Sequence, residues 1–336
     1  AGSGMVSLTA PRPEKGTPPH SAIARGRWSR LICLLGLIVA GLALSSPWLS
    51  LYNPLFDFIS HFTLHYLLAF IAFVVGFFMP RARLLTVLVI VVAGMGAIAW
   101  WPQHVSKIPG TPATLQEGER QLRLMTYNTW LSNKDWRAVT AEIRRHDPDV
   151  VTLMEFGKEK RKTFDALKKD YPYSVHCIEK SYCHMAIISK YPLYDVETRN
   201  IWKGPAYIRA RLGKDLGRTY VYGLHSTRPP FVRSQIVQLK AMAKRLRGVP
   251  GQKIVMGDFN STPYARLLSQ FAAHITLKRI TYLPTWPSRW GPFPQLAIDH
   301  VFLSRGMRAL NRAWIGQPAG SDHYPIIVDV AIKVSP

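Results

Sequence analysis

The residues of this chain with the means to do chemistry recur in one setting, a polar side chain placed directly after a short apolar run. Ile254-Val255-Met256 stops at Gly257 and is followed by Asp258 and Asn260. Strand alternation sends those two to one side and Phe259 to the other. Asn128 follows Leu122–Tyr127, Glu155 follows Val150–Met154, His225 follows Tyr220–Leu224, and Asp299 and the pair Asp322-His323 flank the last apolar strands. Any one of these positions is also the ordinary place of a turn or a cap, Gly-Asp-x-Asn included. Six together describe a polar rim at the end of a sheet. Carboxylates, carboxamides and two histidines converging on one spot suit metal-assisted hydrolysis of an anionic ester. That reaction needs a cation for the charge, a base for water and an acid for the leaving oxygen. Glu155 with Asn128 suits a hard, oxygen-ligated ion, Mg²⁺ or another divalent cation such as Mn²⁺ or Ca²⁺. Asp322 either fixes the tautomer of His323 or joins the metal ligands.

The elements that must position these residues alternate along the chain. Strands are expected at Leu122–Tyr127, Val150–Met154, near Tyr173, at Met185–Ser189, Tyr207–Leu212, Tyr220–Leu224 and Ile254–Met256, then one ending near Leu303 and one over Ile326–Ile332. Helices are expected over Trp136–Arg145, stopped by Asp147-Pro148, over Lys158–Lys169, and near Tyr264–Phe271. Phe231–Arg247 carries an apolar stripe at Val232, Ile236, Leu239, Met242 and Leu246, the period of a half-buried helix. This order predicts a layered α/β or α+β domain over 121–336, and 230 or so residues suffice for one substantial core.

The chain ahead of that domain has a different composition. Ala1–Gly4 precede the first Met and read as a cloning remnant; 1–30 as a whole, rich in Pro, Gly, Ser and Arg, reads as a disordered cytoplasmic tail. Three apolar stretches follow, Leu31–Trp48, Phe62–Met79 and Leu84–Trp101, each long enough at about 1.5 Å per residue to cross a hydrocarbon core. Residues 31–101 are therefore expected to form a membrane domain of three transmembrane helices, joined to the catalytic domain by a linker over 102–120. Arg12, Lys15, Arg25, Arg27 and Arg30 lie before the first stretch and Arg81 and Arg83 before the third, whereas Leu49–His61 has no Lys or Arg. The positive-inside rule then puts the N-terminus in the cytoplasm and the larger domain in the periplasm or outside the cell, anchored in the inner or plasma membrane. Trp48, Trp100 and Trp101 fall where an outer aromatic belt would lie.

The formal net charge is +23. Most of it belongs to the larger domain, with 36 Lys and Arg against 18 acids after residue 104. Anionic partners are favoured, whether nucleic acid, phosphorylated sugars or lipid headgroups, and a generally basic solvated surface accounts for the charge as well. Of the 3 cysteines, Cys33 falls in the first apolar stretch. Cys177 and Cys183 are close enough for a disulfide on an oxidising side of the membrane. Zinc held by Cys177, Cys183, His176 and His184 matches no common spacing.

Met-Thr-Tyr-Asn128, Asp-Val-Val-Thr-Leu-Met-Glu155, Gly-Leu-His225-Ser-Thr, Gly-Asp258-Phe-Asn260-Ser, Ile-Asp299-His and Ser-Asp322-His323-Tyr-Pro325, in this order and spacing, resemble the endonuclease/exonuclease/phosphatase superfamily. The resemblance covers about 120–334 and leaves the apolar half outside it. It implies a two-sheet α/β sandwich and a metal-dependent phosphodiesterase. It further implies that Asp299 orients His323, that Asp258 and Asn260 position the attacking water and a phosphate oxygen, and that His225 contacts or protonates the phosphoryl group. A His at the end of its strand resembles the deoxyribonuclease and sphingomyelinase branches more than the abasic-site repair branch. Thr129 and Trp130 stand after Asn128, where nucleases of the family often carry an acid or a glycine, so a second metal carboxylate is not expected there.

Trp286, Arg289, Trp290 and Phe293 cluster just before Asp299, and the first three, with Arg228, are the expected substrate contacts. Exposed aromatics beside a cleft dip into lipid, stack on bases or cover a sheet edge. Sequence alone therefore leads to a membrane-anchored phosphodiesterase acting on a phospholipid or lipid-linked phosphodiester. A secreted-side nuclease is the alternative, and a degenerate tethered binding module a further one.

Overall fold

The computed structural model describes residues 20–79, 83–106, 113–179, 182–200, 204–291 and 295–334, with 20–25 and 98–106 described by backbone alone. The expected tail up to residue 19, Arg81 and Phe293 lie outside the described residues, as do the side chains of Arg25, Trp100 and Trp101.

Among the described residues five helices come first: α1 (His20–Leu44), α2 (Ser46–Leu49), α3 (Leu55–Ser60), α4 (Thr63–Phe78) and α5 (Arg83–Ser106). The long ones pack α1 on α4 and α4 on α5. A Cβ on Gly36 would lie 2.5 Å from the Phe73 ring, so a glycine permits that close approach. Three spans were expected, and the structure differs. Among the described residues one helix, Gly26–Leu44, is long and apolar enough to cross a membrane, with mean hydropathy 1.7; Thr63–Phe78 and Arg83–Ala97 are shorter apolar helices. The apolar count at Phe62–Met79 included end residues that are not helical, and the 16 residues left rise only about 24 Å at 1.5 Å each. The helix also starts at His20, ten residues inside what reads as a tail.

The remainder is a sandwich. Its elements in order are β1 (Glu119–Asn128), α6 (Trp136–His146), β2 (Val150–Met154), α7 (Lys162–Leu167), β3 (Tyr173–His176), β4 (Ala186–Ser189), β5 (Leu193–Arg199), β6 (Ala206–Leu212), β7 (Thr219–His225), α8 (Val232–Gly248), β8 (Gln252–Asp258), α9 (Arg266–Ile275), β9 (Lys278–Arg279), β10 (Asp299–Leu303), β11 (Arg308–Ala309), β12 (Trp314–Ile315) and β13 (Ile326–Lys333). One sheet runs β11-β13-β1-β2-β4-β3 with β12 also on β13, and the other runs β5-β6-β7-β8-β10-β9. Strand β5 was not foreseen, because its Leu, Val and Tyr are interrupted by Asp195, Glu197 and Arg199 and its apolar signal is weak. The helix expected over Lys158–Lys169 shortens to a 3₁₀ turn and α7.

Period-two alternation divides each central strand between two cores. Leu122 and Leu124 of β1, Val150 of β2, Val221 of β7, Ile254 and Met256 of β8 and Val301 of β10 meet between the sheets. The intervening residues face outward. Met125, Tyr127, Val151 and Leu153 pack under α6 and α7, and Tyr222, Leu224, Val255 and Phe302 pack under α8 and α9. The inner series of each strand, continued to its C-terminal end in β1, β7 and β8 and to its start in β10, arrives at Asn128, His225, Asp258 and Asp299. Those polar groups therefore emerge at one end of the inter-sheet core. Met256 is fully buried there. Replacing it with Ala leaves a cavity, and Met256→Ala is expected to lower the unfolding free energy of the sandwich by about 2–5 kcal/mol, read from denaturant unfolding followed by tryptophan fluorescence.

Candidate active site

Asp258 is the centre of the cluster. The parallel register of β7 and β8 sets His225 opposite it, and the antiparallel register of β8 and β10 sets Asp299 opposite it on the other side. Gly257 precedes it with φ of 148°, and a Cβ there would lie 2.0 Å from the Leu224 carbonyl oxygen; only glycine fits so close to the neighbouring strand. The Asn260 N–H donates to Asp258 Oδ1 at 2.7 Å, and the Asn260 carboxamide donates to Ser226 O and Asp258 Oδ2. Gln235 of α8 donates to the carbonyls of Phe259 and Asn260, both at 3.0 Å. The turn after β8 is thus fixed by main-chain contacts as well as by Asp258.

Two groups share the Asp258 carboxylate. In the first, His225 Nε2 lies 3.6 Å from Glu155 Oε1 and 3.7 Å from Asp258 Oδ2. Glu155 holds φ of 49°, an uncommon conformation for this residue type. The Thr129 hydroxyl donates to its carbonyl, and Leu131 N–H donates to its Oε2 at 3.0 Å. In the second, His323 Nδ1–H donates to Asp299 Oδ2 at 2.8 Å, and His323 Nε2 faces Asp258 Oδ2 at 3.8 Å. The Thr285 hydroxyl also donates to Asp299 Oδ2, at 2.5 Å, while Asp299 Oδ1 is buried without a partner among the described residues.

Burial dominates the electrostatics. Desolvation, reinforced by the charge of Asp299, pushes Asp258 up to about 6, because both act against its ionised form. Burial alone would lower His323, but Asp299 and then Asp258 raise it to about 10. Glu155 stays below its usual value although burial opposes this, through the charge of His225 and the hydrogen bonds from Leu131 and Asn128.

Each of the two carboxylate-histidine groups, Glu155-His225-Asp258 and Asp258-Asp299-His323, has ligand atoms within 4.8 Å of one another. An oxygen-rich set with one imidazole and an orphaned carboxylate oxygen nearby fits a divalent cation. Two expected ligands are placed differently. Asn128 presents its amide nitrogen to the cluster, donating to Glu155 Oε1 and Asp258 Oδ2 while its Oδ1 accepts Trp130 N–H; a donor is what two adjacent carboxylates attract. Asp322 lies outside both groups, its Oδ2 accepting the indole N–H of Trp286 at 3.3 Å.

The cluster opens into a cleft of about 480 Å³ lined by Glu155, His225, Asp258, Asn260, Asp322 and His323, together with Arg228, Trp286, Leu131, Tyr182, His184 and Phe231. Arg228 and Trp286 are where substrate contacts were expected; Arg289 and Trp290 are not among the lining residues. Several contributors had no sequence signal. Thr285 is one, reaching Asp299 from a loop. Lys160, fully buried, is another: its ammonium donates to the carbonyls of Trp130 and Asn133, both at 2.8 Å, holding the loop that brings Leu131 N–H to Glu155. Desolvation pushes this lysine down to about 8. Tyr182 and His184 reach the rim from a loop closed by a Cys177–Cys183 disulfide, which also removes the thiolates a zinc site would need.

A model of the endonuclease/exonuclease/phosphatase family matches residues 125–323. The chain belongs to this family. An endonuclease/exonuclease/phosphatase protein of Beutenbergia cavernae is similar in structure at 19% identity, covering 63% of this chain and 72% of that one with a TM-score of 0.50. A humanized D. rerio TDP2 is similar at 15% identity over 62% of this chain and 98% of that one, TM-score 0.52. Likeness at such identity concerns the family's fold, the two mixed sheets with flanking helices. A UPF0294 protein of Vibrio cholerae serotype O1 is 35% identical over 129 residues, 38% of this chain and 44% of the relative; the chain thus spans under half the length of the curated relatives it matches.

The disulfide gives the site a direct check. With the unreduced protein unfolded and alkylated, Cys33 alone is expected to take the label, and peptide mapping should recover the two loop cysteines as one bridged pair. Label on Cys177 or Cys183 would contradict the rim described above.

Proposed function

We propose that this chain is a membrane-anchored, divalent-metal-dependent phosphodiesterase whose substrate is a phospholipid or lipid-linked phosphodiester. The observation that carries the reading is the pair of carboxylate-histidine groups sharing Asp258 at the end of the family's sandwich. A binding module needs no such duplication. Glu155, held in place by the hydrogen bond from the Asn128 amide, would hold the cation, which when bound neutralises the phosphate and polarises its oxygens. Asp258, raised toward neutrality, takes the proton of the attacking water. Asn260 orients that water. His323, oriented and kept protonated by Asp299, is the imidazolium that gives the leaving oxygen its proton, and His225 contacts the phosphoryl group. Arg228 and Trp286, which line the cleft, bind the substrate.

Membrane attachment is supported by apolar surface left uncovered on the helices: Leu34, Leu35, Ile38, Val39 and Leu42 of α1, Leu67 and Ile71 of α4, and Leu85, Leu88 and Val92 of α5 are exposed. Exposed apolar area on this scale marks a surface that something else covers, and a helix of spanning length makes lipid its natural solvent. In this arrangement the sandwich hangs on the side away from the basic N-terminus, in the periplasm or outside the cell. A lipid substrate is supported by the cleft rim, where Leu131, Tyr182 and Phe231 are exposed around a charged floor.

Glu155→Gln, Asp258→Asn and His323→Ala, each folded, are expected to reduce turnover of a soluble chromogenic phosphodiester by roughly 10²- to 10⁴-fold, and excess chelator should abolish it. Full activity in chelator would remove the metal from the reading. On phospholipid vesicles and on single- and double-stranded DNA, the lipid assignment expects hydrolysis of the first. DNA cleavage that falls steeply with salt while vesicles stay intact would assign a nuclease instead.

A further inference from the structure

Helix α3 and its flanks belong to the apolar half of the chain, yet their polar side chains are buried against the sandwich. Asp57 is only 3% exposed and His61 5%. Asp57 Oδ1 accepts the N–H of Leu267 at 3.2 Å, in the first turn of α9. That helix has Ala265 at its cap position and no side-chain cap of its own, so a carboxylate from a segment 210 residues away satisfies one of its free N–H groups and meets the positive end of its dipole. His61 Nδ1 is hydrogen-bonded to the Thr262 hydroxyl at 3.3 Å. Burial pushes this imidazole down to about 4, so at neutral pH it is uncharged. His65 Nε2 is hydrogen-bonded to Gln295 Oε1 at 3.1 Å, and Gln295 N–H donates to Trp286 O.

These three contacts end on two loops that bear the site. Thr262 is two residues from Asn260, whose φ of 46° lies in the left-handed region. The sandwich grips the loop at Phe259, Asn260 and Ser261 through Gln235 and His300. Its far end, Thr262 to Leu267, is gripped from the helical half. We infer that Asp57 and His61 are positioning residues for the Asp258–Thr262 loop, and that the α3 segment is a built-in part of the catalytic scaffold in addition to being part of a tether. This rests on Asn260 belonging to the reacting site.

The test uses the full chain in detergent and compares Asp57→Leu, Asp57→Asn, His61→Ala, Thr262→Val and the double variant His61→Ala/Thr262→Val. Two readouts are followed: amide hydrogen exchange of peptides covering 259–268, and kcat and KM on a soluble chromogenic phosphodiester. Asp57→Leu and His61→Ala are expected to speed exchange in that segment and to lower kcat by roughly ten- to a hundredfold, the scale for a small displacement of a reacting group, with KM within about twofold. Asp57→Asn, which retains an oxygen for Leu267 N–H, should recover most of both. The double variant should lose no more than His61→Ala alone. Unchanged exchange in 259–268 together with unchanged kcat in folded variants would overturn the inference, as would losses confined to KM. If the wild type hydrolyses no phosphodiester, the proposed function fails, while the exchange data still decide whether α3 holds the loop. Where Asp57→Leu does not fold, Thr262→Val, which replaces the hydroxyl by a methyl, tests the hold of the helical segment on the same loop through its His61 contact, with the same expected rise in exchange and fall in kcat.

Discussion

The pairing of β8 with β7 on one edge and β10 on the other carries His225, Asp258 and Asp299 on a single hydrogen-bonded ladder, with the three side chains opposite one another on the inner face. A slip of one residue would turn Asp258 toward α8 and α9 and put Phe259 among the acids. What prevents the slip is the core. Ile254 and Met256 fill the space between the sheets while Val255 and Phe259 fill the space under the helices, and both fits fail together if the register moves. The chemistry at the strand end is therefore specified by apolar packing one and two residues earlier.

Bringing Asp258 and Asp299 so close together is costly in a dry setting, and the surroundings show how the cost is met. Asp299 takes hydrogen bonds from His323 and Thr285 on one oxygen. Asp258 takes them from Asn128 and from Asn260. Burial, with the remaining repulsion from Asp299, raises the affinity of Asp258 for a proton, and attraction to the two carboxylates raises that of His323; in the proposed reaction this gives one group a base's character and the other an acid's. A divalent cation at Glu155 would offset the cluster's excess of carboxylate charge.

The helical half is joined to this arrangement by polar groups that an ordinary tether has no reason to bury. Its long helices leave apolar side chains uncovered, whereas the short α3 between them carries Asp57 and His61 into the junction with α8 and α9. An anchor that merely held the sandwich near a bilayer would leave this segment solvated and its carboxylate free. Capping α9 from outside its own layer instead couples the two halves at the loop that follows Asp258.

The sequence by itself determined the strands that deliver Asn128, Glu155, His225, Asp258 and Asp299, because an apolar run ended by a polar residue is a local signal, and it determined the family through the order of those runs. It also determined that a strongly apolar half precedes the sandwich. The 16-residue length of α4 was decided by tertiary structure, since hydropathy counts residues whether or not they are helical. The orientation of the Asn128 amide, the removal of Asp322 to Trp286, and the parts played by Thr285, Lys160, Asp57 and His61 were decided there too. Each of these depends on a partner more than ten residues away, and a hydrogen bond between distant segments leaves no periodicity in either one for a sequence to display.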